Sequence, residues 1–178
     1  MKFLADRMLG RLSSWLRILG YDTLSANSFA GLSNAAEDTF MLQLSGSEER
    51  ALLTKDTQLH TRARQKCGIP SLLVRDGDVL CQLNQVRQQY GLVFPEEPEP
   101  VRCSVCNGTL ELVSIEDILR SHEINKLRTK GVDIEKFIHR YAHFYKCSQC
   151  SKIFWKGQHW RNMVNTTRHL SEGHWVPF

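Results

Sequence analysis

Two short apolar runs in this chain each end in an aspartate: Lys2-Phe3-Leu4-Ala5-Asp6 and Ala51-Leu52-Leu53-Thr54-Lys55-Asp56. A brief uninterrupted apolar run suits a buried strand of a parallel, helix-covered sheet. Carboxylates at the C-terminal ends of such strands gather in one crevice of an open α/β sheet. Gathered carboxylates repel one another unless a cation sits among them, so the crevice is a candidate divalent-metal site. Asp after a strand is also a common N-cap of the helix that follows. Both readings stand on these residues alone.

Strands and helices alternate as far as residue 92. Leu9, Leu12, Trp15, Leu16 and Leu19 recur at helical spacing and stop at Gly20. Thr23 to Ser25 reads as a second strand, and a helix opens at Ser33 or Asn34 with Phe40, Met41 and Leu44 on its apolar face. Thr57 to Lys66 reads as a helix ending at Gly68, Ser71 to Val74 as a fourth strand, and Val79 to Tyr90 as a helix ending at Gly91. Repeated alternation with short loops predicts an α/β fold, a parallel sheet flanked by helices. Phe94-Pro95-Glu96-Glu97-Pro98-Glu99-Pro100 then reads as a stiff, solvated linker. The expected organisation is an acidic-site domain at 1–92, a linker at 93–102, a cysteine-bounded module at 103–163 and a tail at 164–178.

Charge follows the same division. Residues 1–100 carry 11 Lys and Arg against 12 Asp and Glu, whereas residues 101–178 carry 12 against 7 and six of the seven histidines. The basic half suits a polyanion, and a solvated basic face is the plainer reading. Met1-Lys2-Phe3-Leu4 looks like the start of a signal, but Asp6, Arg7 and Arg11 interrupt any apolar segment. No stretch approaches membrane-spanning length, so a cytoplasmic protein without a membrane partner is expected.

Reduced cysteines in CxxC pairs then point to metal rather than disulfides. Cys103-Ser-Val-Cys106 and Cys147-Ser-Gln-Cys150 supply the four ligands of a closed structural zinc site. The 40 residues between the pairs require a helical insertion, and Ser114-Ile115-Glu116-Asp117 reads as its capping box. Cys67 and Cys81 read as small buried hydrophobes. His122, His139, His143 and His159 are not needed as ligands. Beyond the second pair, Phe154-Trp155-Lys156-Gly157-Gln158-His159-Trp160-Arg161 interleaves aromatic and basic residues, a pattern that stacks bases and holds phosphates or that builds a small core.

Asp6-Arg7-Met8-Leu9-Gly10-Arg11-Leu12, Trp15-Leu16-Arg17, Leu19-Gly20-Tyr21-Asp22-Thr23, the T-x-D of Thr54-Lys55-Asp56 and the cysteine knuckles followed by Trp155-Lys156-Gly157 occur in an order that resembles the mut-7 C-terminal family of PIN-like ribonucleases. The resemblance implies a PIN-like fold with a four-cysteine zinc ribbon, and a ribonuclease dependent on Mg²⁺ or Mn²⁺ that acts on RNA, taken as single-stranded. It makes Asp6 and Asp56 metal ligands. The middle acid falls on Asp38 or Glu37, and Asp38 is preferred because Asn34 to Glu37 has capping-box spacing. Asp76 is a fourth candidate catalytic acid, although Asp76-Gly77-Asp78 also reads as a turn and a helix cap. Gln58 stands where many PIN-like proteins have a further Asp. Arg7 and Lys55 are candidates to hold the scissile phosphate or to pair with the acids. Arg11 and Arg17, on the polar face of the first helix, could track the RNA backbone; solvated helix surface is the plainer reading of both. In the zinc module Lys156, His159 and Arg161 are the candidate RNA contacts.

Overall fold

A computed structural model describes residues 1–29, 33–141 and 143–171. Four parallel strands, β1 (Lys2–Ala5), β2 (Asp22–Ser25), β3 (Ala51–Thr54) and β4 (Ser71–Leu73), lie in the order β2-β1-β3-β4. Their alternating side chains feed two cores. Phe3, Ala5, Ala51 and Leu53 pack against Leu12 and Leu16 of α1 (Gly10–Ile18) and Leu83 and Val86 of α4 (Val79–Tyr90). Leu4 and Leu52 point the other way, onto Met41 and Leu42 of α2 (Asn34–Ser47) and Leu59 of α3 (Thr57–Thr61). Both faces are therefore dry, which explains the uninterrupted apolar runs. α1 leads outward from β1 to β2, while α2 crosses back to β3, so the winding reverses between β1 and β3. The strand-end crevice at that reversal is where open α/β sheets bind ligands.

The expected helix over 57–66 is α-helical only to Thr61. It continues as a π-helical turn, Arg62–Lys66, followed by Gly68 at φ +66° and by a bond from Ile69 N to Ala63 O of 2.9 Å. Cys67, expected to be buried, is exposed because it leaves this turn on the surface; Cys81 is half-buried in the first turn of α4.

The second sheet is antiparallel, β5 (Leu110–Val113), β6 (Phe144–Cys147) and β7 (Ile153–Trp155). Val113, Phe144 and Trp155 share one face of it. That face is covered by the insertion helices α5 (Ile115–Leu119), α6 (His122–Thr129) and α7 (Ile134–Arg140), through Ile118, Ile124 and Phe137. Ser114 caps α5 as its spacing predicts, accepting from Asp117 N at 3.1 Å.

The segment between the sheets packs against both. Its glutamates are exposed, but Phe94, Pro98 and Pro100 are buried and Tyr21 donates to Val93 O at 2.7 Å. Residues 164–171, read from sequence as the start of a tail, continue α8 (Gln158–Ser171), in which Met163, Val164, Thr167 and Leu170 form a buried stripe. Leu170 enters the core of the first sheet, and Thr167 donates to Glu96 O at 2.9 Å. The rest of the expected tail, 172–178, lies outside the described residues.

Arg17 is a second departure from the sequence reading. It is only 3 % exposed and joins the two units rather than facing solvent. Its guanidinium donates to Thr23 O at 2.8 Å and to Ser104 O and Val105 O of the first cysteine knuckle at 3.1 and 2.8 Å. Asn107 completes the joint: it accepts from Thr23 N at 2.9 Å and donates to Asp22 Oδ1 at 2.9 Å. Both outward-facing backbone groups of Thr23, on the edge strand β2, are thus engaged by Arg17 and the knuckle. A helical period cannot reveal an arginine whose partners are backbone carbonyls 87 and 88 residues away.

Candidate active site and metal centre

The acids of the crevice are held by different devices. Asp6 follows β1, and its N–H bonds Leu53 O at 2.9 Å, which ties the ends of β1 and β3 together. Thr54 extends that tie: its hydroxyl donates to Asp6 Oδ2 at 2.8 Å and accepts from Asp56 N at 2.9 Å. One small side chain therefore fixes both strand-end acids. Asp56 is also the N-cap of α3, accepting from Gln58 N at 2.6 Å and Leu59 N at 3.0 Å. Both of these bonds fall on Oδ1, so capping and a ligand role for Oδ2 are compatible.

The two candidates for the middle acid go to different places. Glu37 is buried and makes a bidentate pair with Arg7, which also donates to Phe29 O. The helix cap does not occupy Glu37: Ser33 is the N-cap residue of α2 and makes no side-chain capping bond. Asp38 pairs with Arg62 at 3.0 Å. Burial raises the Asp38 pKa; Arg62 opposes the rise and the negative charges of Asp56, Asp6 and Glu37 add to it. Asp38 thus feels both strand-end acids.

Asp76 is 95 % exposed and pairs with Lys55 at 2.6 Å, which lowers its pKa. Asp78 behind it caps α4, accepting from Cys81 N at 2.8 Å. Arg11 is exposed and near enough to Asp78 to help depress its pKa. Arg7 and Lys55 accordingly both take the ion-pair option in this structure. Arg62 escaped the sequence reading; the signal for it was the basic run Arg62-Ala-Arg64-Gln-Lys66 directly after the strand-end motif.

The donor set of Asp6, Asp38 and Asp56 is all oxygen, the chemistry that Mg²⁺ and Mn²⁺ require. The mutual repulsion at Asp38 is of the kind a cation relieves. Among the described residues, however, the acids do not converge as closely as the thiolates described next.

The Sγ atoms of Cys103, Cys106, Cys147 and Cys150 lie within 4.8 Å of one another. Cys103 to Cys150 is 3.7 Å and Cys106 to Cys147 is 3.4 Å. Tetrahedral Zn–S bonds of about 2.3 Å place sulfurs about 3.8 Å apart, so the residues fit zinc. The two knuckles are built alike. Cys103 N bonds Gly108 O and Asn107 N bonds Cys103 O; Cys147 N bonds Lys152 O and Ser151 N bonds Cys147 O. Asn107 and Ser151 both take positive φ, 74° and 59°, turning the chain back over the sulfurs. At Gly108 a Cβ would stand 2.8 Å from Cys147 Sγ. Burial raises Cys147, but the amides of Cys150 and Gln149 and the neighbouring thiols outweigh it and bring its pKa to about 7. Burial pushes Cys103 up to about 12; metal binding releases the protons that the ligand thiols hold.

Of the candidate RNA contacts, Lys156 pairs with Glu99 at 3.0 Å and lies over the Trp160 ring at 5.9 Å. His159 and Arg161 are exposed on the first turn of α8. Trp155 packs edge-on against Phe137 at 5.0 Å, inside the small core.

The family model of the Mut7-C RNAse domain matches residues 1–167. The chain belongs to this family. The match spans both sheets, the cysteine knuckles and most of α8, so the ribbon lies within the family unit. No curated protein and no solved structure matches the chain at a significant level. Among the described residues no helix is long and apolar enough to cross a membrane.

Proposed function

We propose that the chain is a ribonuclease that hydrolyses single-stranded RNA with a divalent Mg²⁺ or Mn²⁺ ion held by Asp6, Asp38 and Asp56. The observation that carries this reading is the linkage of Asp6 and Asp56 through Thr54 at the reversal of the sheet, with Asp38 coupled to both by charge. When bound, the metal supplies Lewis acidity toward a phosphoryl oxygen and lowers the pKa of an attacking water. The protein's own contribution is positional. Thr54 keeps the two strand-end carboxylates in register, and Arg7, tied to Glu37, stands beside them as a fixed cation. Lys55 and Arg62 exchange Asp76 and Asp38 for the phosphates of an arriving strand. Asp76 acts at the rim, as the partner that holds Lys55 until substrate binds.

The zinc is structural, since four thiolates saturate it, and the basic ribbon supplies the affinity for RNA that a negatively charged crevice lacks. Reduced, metal-binding cysteines suit the cytoplasm. A panel of single-stranded RNAs incubated with Mn²⁺ tests the reading. Wild type is expected to cut, and both chelation and Asp6→Asn to abolish cutting. Cleavage that survives Asp6→Asn, or RNA binding with no cutting in any divalent ion, overturns it.

A further inference from the structure

The ribbon has a second face that the insertion helices leave open. On it Leu112, Tyr145 and Phe154 are register partners across all three strands. They alternate with Val113, Phe144 and Trp155, the row packed into the small core. Leu112 is 62 % exposed, and Tyr145 and Phe154 are half-exposed. Beside this row a groove of 570 Å³ opens between the ribbon, the end of α1 and the start of α8; Tyr145, Phe154, Trp160, Arg102, Lys152 and His159 are among its walls. Among the described residues no Asp or Glu lines it. The Trp160 Nε1–H is buried and has no hydrogen-bond partner among them. Such an orphaned donor carries a desolvation cost that a ligand acceptor removes.

The groove therefore offers flat aromatic faces, one unsatisfied donor and an excess of positive charge. Arg102 and Lys156 already face Asp22 and Glu99, which leaves Lys152 and His159 for an incoming anion. A protein helix would use the apolar row but leave the cations without partners. A nucleotide base uses all three features: its ring stacks, its carbonyl or ring nitrogen accepts, and its phosphate meets the cations. We propose that this groove binds unpaired bases of an RNA strand, stacked on Tyr145 and Phe154, with Trp160 Nε1–H donating to a base acceptor. The inference rests on the ribonuclease reading for its choice of polymer, but it names a base subsite that none of the candidate acids lines.

The test uses the full zinc-loaded chain in buffer without Mg²⁺ or Mn²⁺, so that nothing is cut. Two labelled RNA oligonucleotides of equal length are compared by fluorescence anisotropy, one intact and one abasic at its central positions. Stacking adds affinity base by base, so the abasic strand should bind roughly 5- to 150-fold more weakly per lost base. Tyr145→Leu and Phe154→Leu should weaken the intact strand and leave the abasic strand unchanged. Trp160→Phe, which keeps an aromatic ring and removes the donor, should show a smaller loss confined to the intact strand. Zinc content confirms that each variant is folded. Equal affinity of wild type for the two strands overturns the proposal without recourse to any variant, as does unchanged binding in the Tyr145 and Phe154 variants. Parallel cleavage assays with Mn²⁺ separate the two readings. Cutting without dependence on the groove sinks the groove alone, and groove-dependent binding without cutting sinks the nuclease alone.

Discussion

The thiolate cluster and the carboxylate crevice of this molecule are built on opposite plans. The thiolates converge before any ion is considered: two copies of one knuckle, each with a positive-φ residue turned over it, bring four sulfurs within 4.8 Å. Each carboxylate is instead held by the protein's own groups, Asp6 by Thr54, Asp56 by amides of α3, Asp38 by Arg62 and Asp76 by Lys55. A preformed closed set suits a structural ion. Carboxylates whose counter-cations are side chains of the same protein suit a site in which those cations change partners, the arrangement proposed above. The difference is one of loops against strand ends: knuckles encode ligand geometry locally, whereas the crevice depends on which strands the crossovers place side by side.

The largest effect expected is from removing zinc. Structural zinc contributes apparent free energies of about 10–16 kcal/mol, comparable to or above the total stability of a domain. Cys103→Ser, or chelation, should therefore unfold the ribbon. Because Arg17 and Asn107 tie the first knuckle to β2, the first sheet should lose stability as well. Calorimetry showing an unchanged first transition in the Cys103→Ser variant would break the link between the units.

Substitution at Asp56 comes next and separates its two roles. Asn caps helices as well as Asp does, so Asp56→Asn should keep the fold while cleavage falls by about a hundredfold or more through lost metal binding. Asp56→Ala should lose activity equally and about 1 kcal/mol of stability besides. An active Asn variant would reduce Asp56 to a cap.

A moderate effect is expected at Asp22, which faces Arg50, Arg102 and Asn107. Burial opposes its charge, but hydrogen bonds from Arg50 and Asn107 outweigh that and lower its pKa. A carboxylate with a depressed folded-state pKa adds stability above its unfolded value of about 3.9, and the contribution is lost as pH falls through the lower folded value. Asp22→Asn should cost about 1–3 kcal/mol at neutral pH and flatten the loss of thermal stability below about pH 4. Parallel pH–melting curves for the two proteins would contradict the assignment.

Smallest is the pair Lys156→Ala and Arg161→Ala. Lys156 already has Glu99, so stability should move by no more than about 0.5 kcal/mol. RNA binding should weaken, with each lost phosphate contact lowering the log–log salt slope by about 0.7 on single strands. An unaltered slope would place the RNA contacts elsewhere on the ribbon.

Much of this was legible in the chain, for local reasons. Val79 to Tyr90 is a helix between an Asp cap and a Gly stop, and it runs between those residues. The cysteine spacing announces the four-sulfur cluster that the fold assembles. The strand-end acids were visible because an apolar run followed by Asp is a local pattern. What stayed hidden depends on contacts between distant segments. Arg17 reads as surface until the ribbon arrives, and Phe94 reads as spacer until Leu170 of α8 joins it in the core. Glu37 was expected at a helix cap and is instead taken by Arg7, which lies 30 residues upstream. Arg62 follows a helical period that fails at its own position, where the chain becomes a π-turn.

The engagement of Thr23 has a consequence beyond the joint itself. β2 is the outermost strand, and an outer strand with free amides and carbonyls is a template for another chain. Here Asn107, next in sequence to Cys106, covers the amide of Thr23, and Arg17 of α1 covers its carbonyl. Loss of the knuckle would strip Asn107 from the Thr23 amide, while Arg17 of α1 would stay on the Thr23 carbonyl. A metal held by the four cysteines would thereby guard one position on the edge of the first sheet, and the metal-depleted protein should self-associate through β2 more readily than the loaded one.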